Sequence, residues 1–194
     1  MDFLQPNNTG VFDFSELTEE DVVILPAFGV TLHDLNTLRA IGCILVDTTC
    51  GSVLLVWKRV ESYARDGFTA LIHGKHYHEE SRATASQVGK HSGGRYIIVR
   101  DMQEAELVCD YITKKPGAMS RAEFAQHFAK KATEGFDPEE DLKKIGVANQ
   151  TTMLASDSLA IGSQVEKAMA EGFGKAYADE NFRSFGTICS ATQE

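Results

Sequence analysis

Cys50 closes the polar run Asp47-Thr48-Thr49-Cys50, just after an apolar stretch and just before an amphipathic one. A cysteine at a strand-to-helix junction meets free backbone amides and the positive end of the helix dipole, and both favour its thiolate. A thiolate serves as a nucleophile or as a ligand to a soft metal. The rival reading is a buried, inert cysteine. Cys189 ends another apolar stretch and opens the polar run Ser190-Ala191-Thr192-Gln193, which makes it a second ligand candidate. Cys43 falls inside an apolar run and Cys109 on the apolar face of a helix, where free cysteine behaves as a small core hydrophobe.

Two further clusters carry other chemistry. His73-Gly74-Lys75-His76-Tyr77-His78-Glu79-Glu80 is dense in titratable groups, and His78 and Glu80 suit a hydrogen-bond donor and an acid beside a ligand. The same run admits a zinc reading on His73, His76 and His78, although zinc sites usually show tighter Cys/His spacing or a helical His pair. A solvated loop with incidental histidines is the third option. His91 and His127 read as surface residues, and His33 has no visible partner. In Gln150-Thr151-Thr152, the two threonines offer hydroxyls and amides to phosphate oxygens, or simply cap a helix. Neither a Walker sequence nor a GxGxxG run is present, which argues against a standard nucleotide loop.

Each cluster follows a stretch that reads as a strand. Continuous apolar runs at 22–25, 43–46, 68–72, 96–99 and 145–149 have the character of parallel strands buried on both faces. Helical spacing follows at 32–41 behind a Thr31 cap, at 52–65, near His78, at 102–112 and at 156–169. Ser120-Arg121-Ala122-Glu123 is a capping box, Phe136-Asp137-Pro138 starts a short helix, and 185–189 is expected to be a last strand. Strands alternating with helices predict an α/β fold with a mainly parallel sheet between helical layers. In such sheets ligands bind beyond the carboxyl ends of the strands, which is where all four polar clusters fall.

Composition limits the function classes. The chain has 194 residues, 43% hydrophobic and 24% charged, enough for a real core. A net charge of −9 disfavours general nucleic-acid binding, which needs a cationic footprint. No apolar run approaches the roughly 20 residues of a membrane span. The start, Met1-Asp2-Phe3-Leu4-Gln5-Pro6, lacks the basic region of a secretory signal. Four scattered cysteines argue against a disulfide scaffold and for a reducing cytoplasm.

Taken together, these motifs resemble the 4-hydroxy-3-methylbut-2-enyl diphosphate reductase family of plants and cyanobacteria. The resemblance rests on Val22-Val23-Ile24-Leu25-Pro26-Ala27-Phe28-Gly29, Asp47-Thr48-Thr49-Cys50, and His73-Gly74-Lys75 with His78-Glu79-Glu80 and Ala83-Thr84-Ala85-Ser86. It continues through Asn149-Gln150-Thr151-Thr152-Met153-Leu154 and Thr187-Ile188-Cys189-Ser190-Ala191-Thr192-Gln193-Glu194. Segment 114–144, and Phe28 where many bacterial members have histidine, point to the plant and cyanobacterial subtype.

The resemblance implies an iron–sulfur oxidoreductase of the methylerythritol phosphate pathway. Cys50 and Cys189 would be two of three cysteine ligands to a [4Fe–4S] cluster. His78 would bind the diphosphate, Glu80 would relay protons, and Thr151 would orient the substrate. Products would be isopentenyl and dimethylallyl diphosphate. A ferredoxin- or flavodoxin-type donor would supply electrons, in the cytoplasm or, in a plant, the plastid. Neither nucleic acid nor membrane is implied as a partner, and self-association stays open.

Against that pattern, Gly51 replaces a usual proline, and the family's first cysteine motif and third domain have no counterpart. The expected organisation is therefore the end of a first α/β domain at 1–50, a central α/β domain at 51–185 and the start of a third at 186–194. Two matching thiols imply that this chain alone holds no stable cluster. The alternative is a non-catalytic relic domain that binds a diphosphate or a partner without one.

Overall fold

The computed structural model describes residues 4–7 and 11–184. Two parallel sheets organise them. Strands β1 (Val22–Leu25) and β2 (Ile44–Asp47) pair in parallel through helix α1 (Leu32–Ile41). The larger sheet has four strands, all parallel, in the order β4–β3–β5–β6. These are β3 (Thr69–His73), β4 (Arg95–Val99), β5 (Ile145–Asn149) and β6 (Phe182–Ser184).

The crossovers are helical. α2 (Gly51–Arg65) leads into β3, α3 (Glu79–Ser86) and a 3-10 turn at Gln87–Lys90 lead into β4, and α4 (Met102–Ile112) leaves it. The short helices α5 (Arg121–Phe128) and α6 (Pro138–Asp141) precede β5. α7 (Ala155–Phe173) and α8 (Lys175–Asn181) then return to β6. Helix ends follow local chemistry. Ser120 and Glu123 form the capping box, Asp101 caps α4, Pro138 opens α6, and Gly67 takes a φ of 75° just past α2.

All five residues of β3 and all five of β5 are buried, because helices cover both faces of the sheet. Side chains alternate across it. Leu71, Ile97 and Val147 pack with Val108, Phe124 and Val165 from α4, α5 and α7. Ala70, Ile72 and Ile98 pack on the other side with Val56, Val60 and Ala85 from α2 and α3. The outcome is the three-layer α/β architecture expected from the sequence. Segment 131–133 covers the free edge of β4: Ile98 N–H donates to Lys131 O and Thr133 N–H to Tyr96 O.

The smaller sheet departs from expectation. Its apolar runs predict strands buried on both faces, yet Val22, Ile24, Ile44 and Val46 are 60%, 50%, 58% and 43% exposed. α1 covers only the face carrying Val23, Leu25 and Leu45, with Leu38 and Cys43 beneath it. Cys43 is buried, just before β2 rather than within it. The larger sheet also gains α8 and β6, neither of which the apolar pattern announced; β6 is only three residues long. The strand expected at 185–189 lies outside the described residues.

Gly146, in mid-β5, marks the tightest approach of α2 to the sheet. The Tyr63 ring lies over it, and an added Cβ would fall 2.5 Å from that ring. The Tyr63 hydroxyl donates to Val147 O at 3.1 Å, which locks the ring in place. Gly146→Ala is therefore expected to lower stability by about 1–3 kcal/mol through overpacking. A lower urea midpoint with an unchanged slope would show it.

Candidate active site

β3 and β5 end side by side, His73 opposite Asn149, so the turns that follow them emerge together at one edge. Gly74 N–H donates to Val99 O at 2.9 Å and Gln150 N–H to His73 O at 2.8 Å, so the strand bonding carries on into both turns. The Gln150 amide then joins the turns. Its Oε1 accepts from Lys75 N–H at 3.1 Å and from Ser81 Oγ–H at 2.9 Å, and its Nε2 donates to Thr152 Oγ1 at 2.6 Å. Gly74 makes room for this: a Cβ there would lie 2.6 Å from Ser81 Oγ and 3.0 Å from Gln150 Cβ.

The same two turns bring His78, Glu80 and Thr151 together. Thr151 N–H donates to Glu80 Oε1 at 2.5 Å, and both residues are buried. His78 is the N-cap of α3, its Nδ1 accepting from Glu80 N–H at 3.1 Å. An accepting Nδ1 assigns the proton of neutral His78 to Nε2, which is then a donor. The three residues thus stand on one edge of the sheet, with His78 half-exposed above two buried partners.

Cys50 is exposed at the N-cap of α2, and its side chain makes no capping bond. The loop after β1 connects it to the edge described above. Cys50 N–H donates to Ala27 O at 2.8 Å, while the Phe28 ring meets the His78 imidazole edge-on at 6.3 Å. Gly29, with a φ of 78°, closes that loop against Trp57, where a Cβ would lie 2.2 Å from the indole. Loop 26–29 therefore contacts both Cys50 and His78. Thr48 Oγ1 fixes the second loop by donating to Leu25 O at 2.5 Å.

Other candidates separate from the site. Cys109 lies in the core, where burial pushes its thiol up to about 12, and the buried Cys43 thiol donates to Leu38 O. The zinc reading loses its geometry. His73 is 1% exposed and bonded to Ser158, His76 meets Tyr77 edge-on, and His78 caps α3. Among the described residues no group of three or more His, Cys, Asp or Glu could hold a metal ion. Cys189 lies outside the described residues. Gln150, Ser81 and Ser158 show no functional pattern in the sequence, because buried amides and hydroxyls leave none; the local signal is Gly74, a glycine directly after a strand.

Fold and site define an α/β protein with parallel sheets whose polar side chains gather beyond the carboxyl ends of the strands. The family model described as LytB protein matches residues 3–194, and the chain belongs to that family. It is 48% identical over 189 residues to the 4-hydroxy-3-methylbut-2-enyl diphosphate reductase of Synechococcus sp. (strain CC9902), covering 97% of this chain and 45% of that one. The reductase of Prochlorococcus marinus (strain NATL1A) is 47% identical over 185 residues, with 95% and 44% covered.

The chain thus spans under half the length of these curated relatives. A solved (E)-4-hydroxy-3-methyl-but-2-enyl diphosphate reductase superposes with a TM-score of 0.59 at 21% identity, covering 95% of this chain and 51% of that one. The Plasmodium falciparum enzyme superposes with a TM-score of 0.59 at 17% identity, with 93% and 44% covered. These two structures speak to the fold. No described helix is long and apolar enough to cross a membrane.

His73 ties three elements together at this edge. Nδ1 lies 2.8 Å from Ser158 Oγ at the start of α7, and the ring also bonds the Arg100 backbone after β4. Burial holds its pKa below the ordinary 6.5, against the opposing pull of Asp157, the Arg100 backbone and Asp101. A histidine depressed in the folded state binds its proton more readily when unfolded, so its contribution is full above about pH 6.5 and shrinks as pH falls below that. His73→Gln should therefore lose less stability than the parent chain between neutral and mildly acidic pH. Urea midpoints at both pH values would show it, since His76, shifted the same way, is present in both proteins.

Proposed function

We propose that this chain carries the central part of a 4-hydroxy-3-methylbut-2-enyl diphosphate reductase. The observation that carries the reading is the convergence of His78, Glu80 and Thr151 on one sheet edge, with loop 26–29 joining that edge to Cys50. Curated relatives of that name at 47–48% identity support it. The domain division at 1–50, 51–185 and 186–194 belongs to the same reading.

The residues divide the work by chemistry. The Nε2–H of His78 donates to a diphosphate oxygen at the mouth of the site, while Nδ1 stays fixed by the Glu80 amide. Glu80 holds a proton for the allylic hydroxyl, so that the C–O bond breaks with water as leaving group. The Thr151 amide orients that carboxyl, and the residue positions the substrate beside it. Overall the substrate takes up two electrons and two protons and loses one water.

The exposed Cys50 thiol fits one ligand position of a [4Fe–4S] cluster, Cys189 would be a second, and the remaining cysteine would come from outside this sequence. When bound, the cluster supplies electrons and a Lewis-acidic iron that weakens the C–O bond. Small-molecule allylic diphosphate and an external electron donor are the partners this reading requires.

Titration calorimetry with inorganic diphosphate tests the substrate half of the reading. Binding is expected for the parent chain, and His78→Ala should weaken it by about tenfold, the loss of one charge-assisted hydrogen bond. Anaerobic reconstitution with iron counting tests the other half. Fewer than four irons per chain and no turnover with a chemical reductant are expected. Near four irons with turnover would refute the ligand assignment. Diphosphate binding that ignores His78 would refute the site, and binding without any iron would favour the relic domain.

A further inference from the structure

The carboxyl edge that bears His78 and Glu80 carries an uneven distribution of charge. On its β4 side, Lys75, His76 and Tyr77 follow β3, Arg100 follows β4, and Lys131 stands on the segment that covers the β4 edge, with Lys130 just before it. Arg100, Lys130 and Lys131 are close enough to act on His76, and Tyr77 on Arg100. Burial, then Lys131, Lys130 and Arg100, hold His76 below its ordinary pKa, opposed by Glu104. Two carboxylates answer the four cations. Glu104 is bonded to Lys131 at 2.7 Å and Asp101 to Arg100 at 2.8 Å. Lys75 and Lys130 are exposed and make no ion pair among the described residues. Tyr77 is 63% exposed beside them, its ring edge-on to His76 at 5.3 Å. A chain of net charge −9 therefore turns a cationic face with an exposed aromatic outward, immediately beside its candidate active site.

We propose that the surface formed by Lys75, His76, Tyr77, Arg100 and Lys130 is the docking site of a small acidic iron–sulfur protein that delivers electrons one at a time. The inference rests on the reductase reading. Each substrate consumes two electrons, so two reduced partners are each oxidised by one electron. The C–O bond breaks, the hydroxyl leaves as water with one proton, and the second proton goes to carbon. An acidic protein is the partner that this charge pattern steers towards the edge, since complementary fields raise encounter rates and set orientation. Arg100 and Tyr77 match the residue types that anchor protein interfaces. An extended polyanion such as nucleic acid would meet repulsion from the rest of the acidic chain.

The test is titration of the 194-residue chain with an oxidised acidic [2Fe–2S] ferredoxin, at low and at physiological salt. Binding that weakens with salt is expected. The double variant Arg100→Glu, Lys130→Glu should weaken it on the order of fivefold or more, while Lys167→Glu, an exposed reversal on α7, should leave it unchanged. Should the double variant lose its circular dichroism spectrum, the single variants Lys75→Glu and Lys130→Glu take its place, both at exposed positions. Ferredoxin affinity indifferent to all these reversals, no binding at all, or equal binding of a basic cytochrome of similar size would each overturn the proposal. Inorganic diphosphate is titrated into the same samples. Donor binding that responds to the reversals while diphosphate fails to bind would remove the reductase reading and leave the docking surface. Diphosphate binding with an indifferent donor would do the reverse.

Discussion

The Gln150 amide holds the turn after β3 to the turn after β5, and the rest of the candidate site depends on that tie. Two parallel strands end side by side but send their chains to different helices, and the strand bonding reaches only the first residue of each turn, so a further link must hold the turns together beyond it. One buried side chain does so, with its oxygen shared by Lys75 N–H and Ser81 Oγ–H and its nitrogen on Thr152 Oγ1. Inside a low-dielectric layer such bonds are strong, and leaving any of these groups unmatched would be costly. The Glu80–Thr151 bond lies against this clamp and inherits its rigidity.

Much of this was legible in the sequence. The alternation of short continuous apolar runs with helical periodicity predicts the parallel α/β architecture, because that succession has few other solutions. Caps were legible at Thr31, Ser120 and Pro138, since their bonding is local. An apolar run says what a strand tolerates, not what covers it, so the expectation of a doubly buried smaller sheet fails at the exposed Val22 and Ile44. α8 and β6 were missed because three residues of strand are too few to show a period. His78, Glu80 and Thr151 were named through resemblance as well as position. The turns that join them were invisible, since Gln150 contacts Ser81 across 69 positions of chain.

Family and geometry answer different questions here. The LytB match extends over residues 3–194 and settles descent. What a single thiol at the head of α2 can bind is a question of ligand number, which descent does not answer. Cys50 offers one soft donor, already aimed outward by a helix that leaves its side chain unengaged. An iron held by one cysteine differs in potential and lability from one held by a full set.

The bare side of the β1–β2 pair has a practical consequence. Val22, Ile24, Ile44 and Val46 make a flat aliphatic strip on paired strands, and strips of this kind are common seeds of lateral association. Such a strip favours association, against the repulsion of a net charge of −9. Detergent, arginine or a solubilising fusion would matter most during purification, and light scattering against protein concentration would be the first quality control on any sample used for crystallisation.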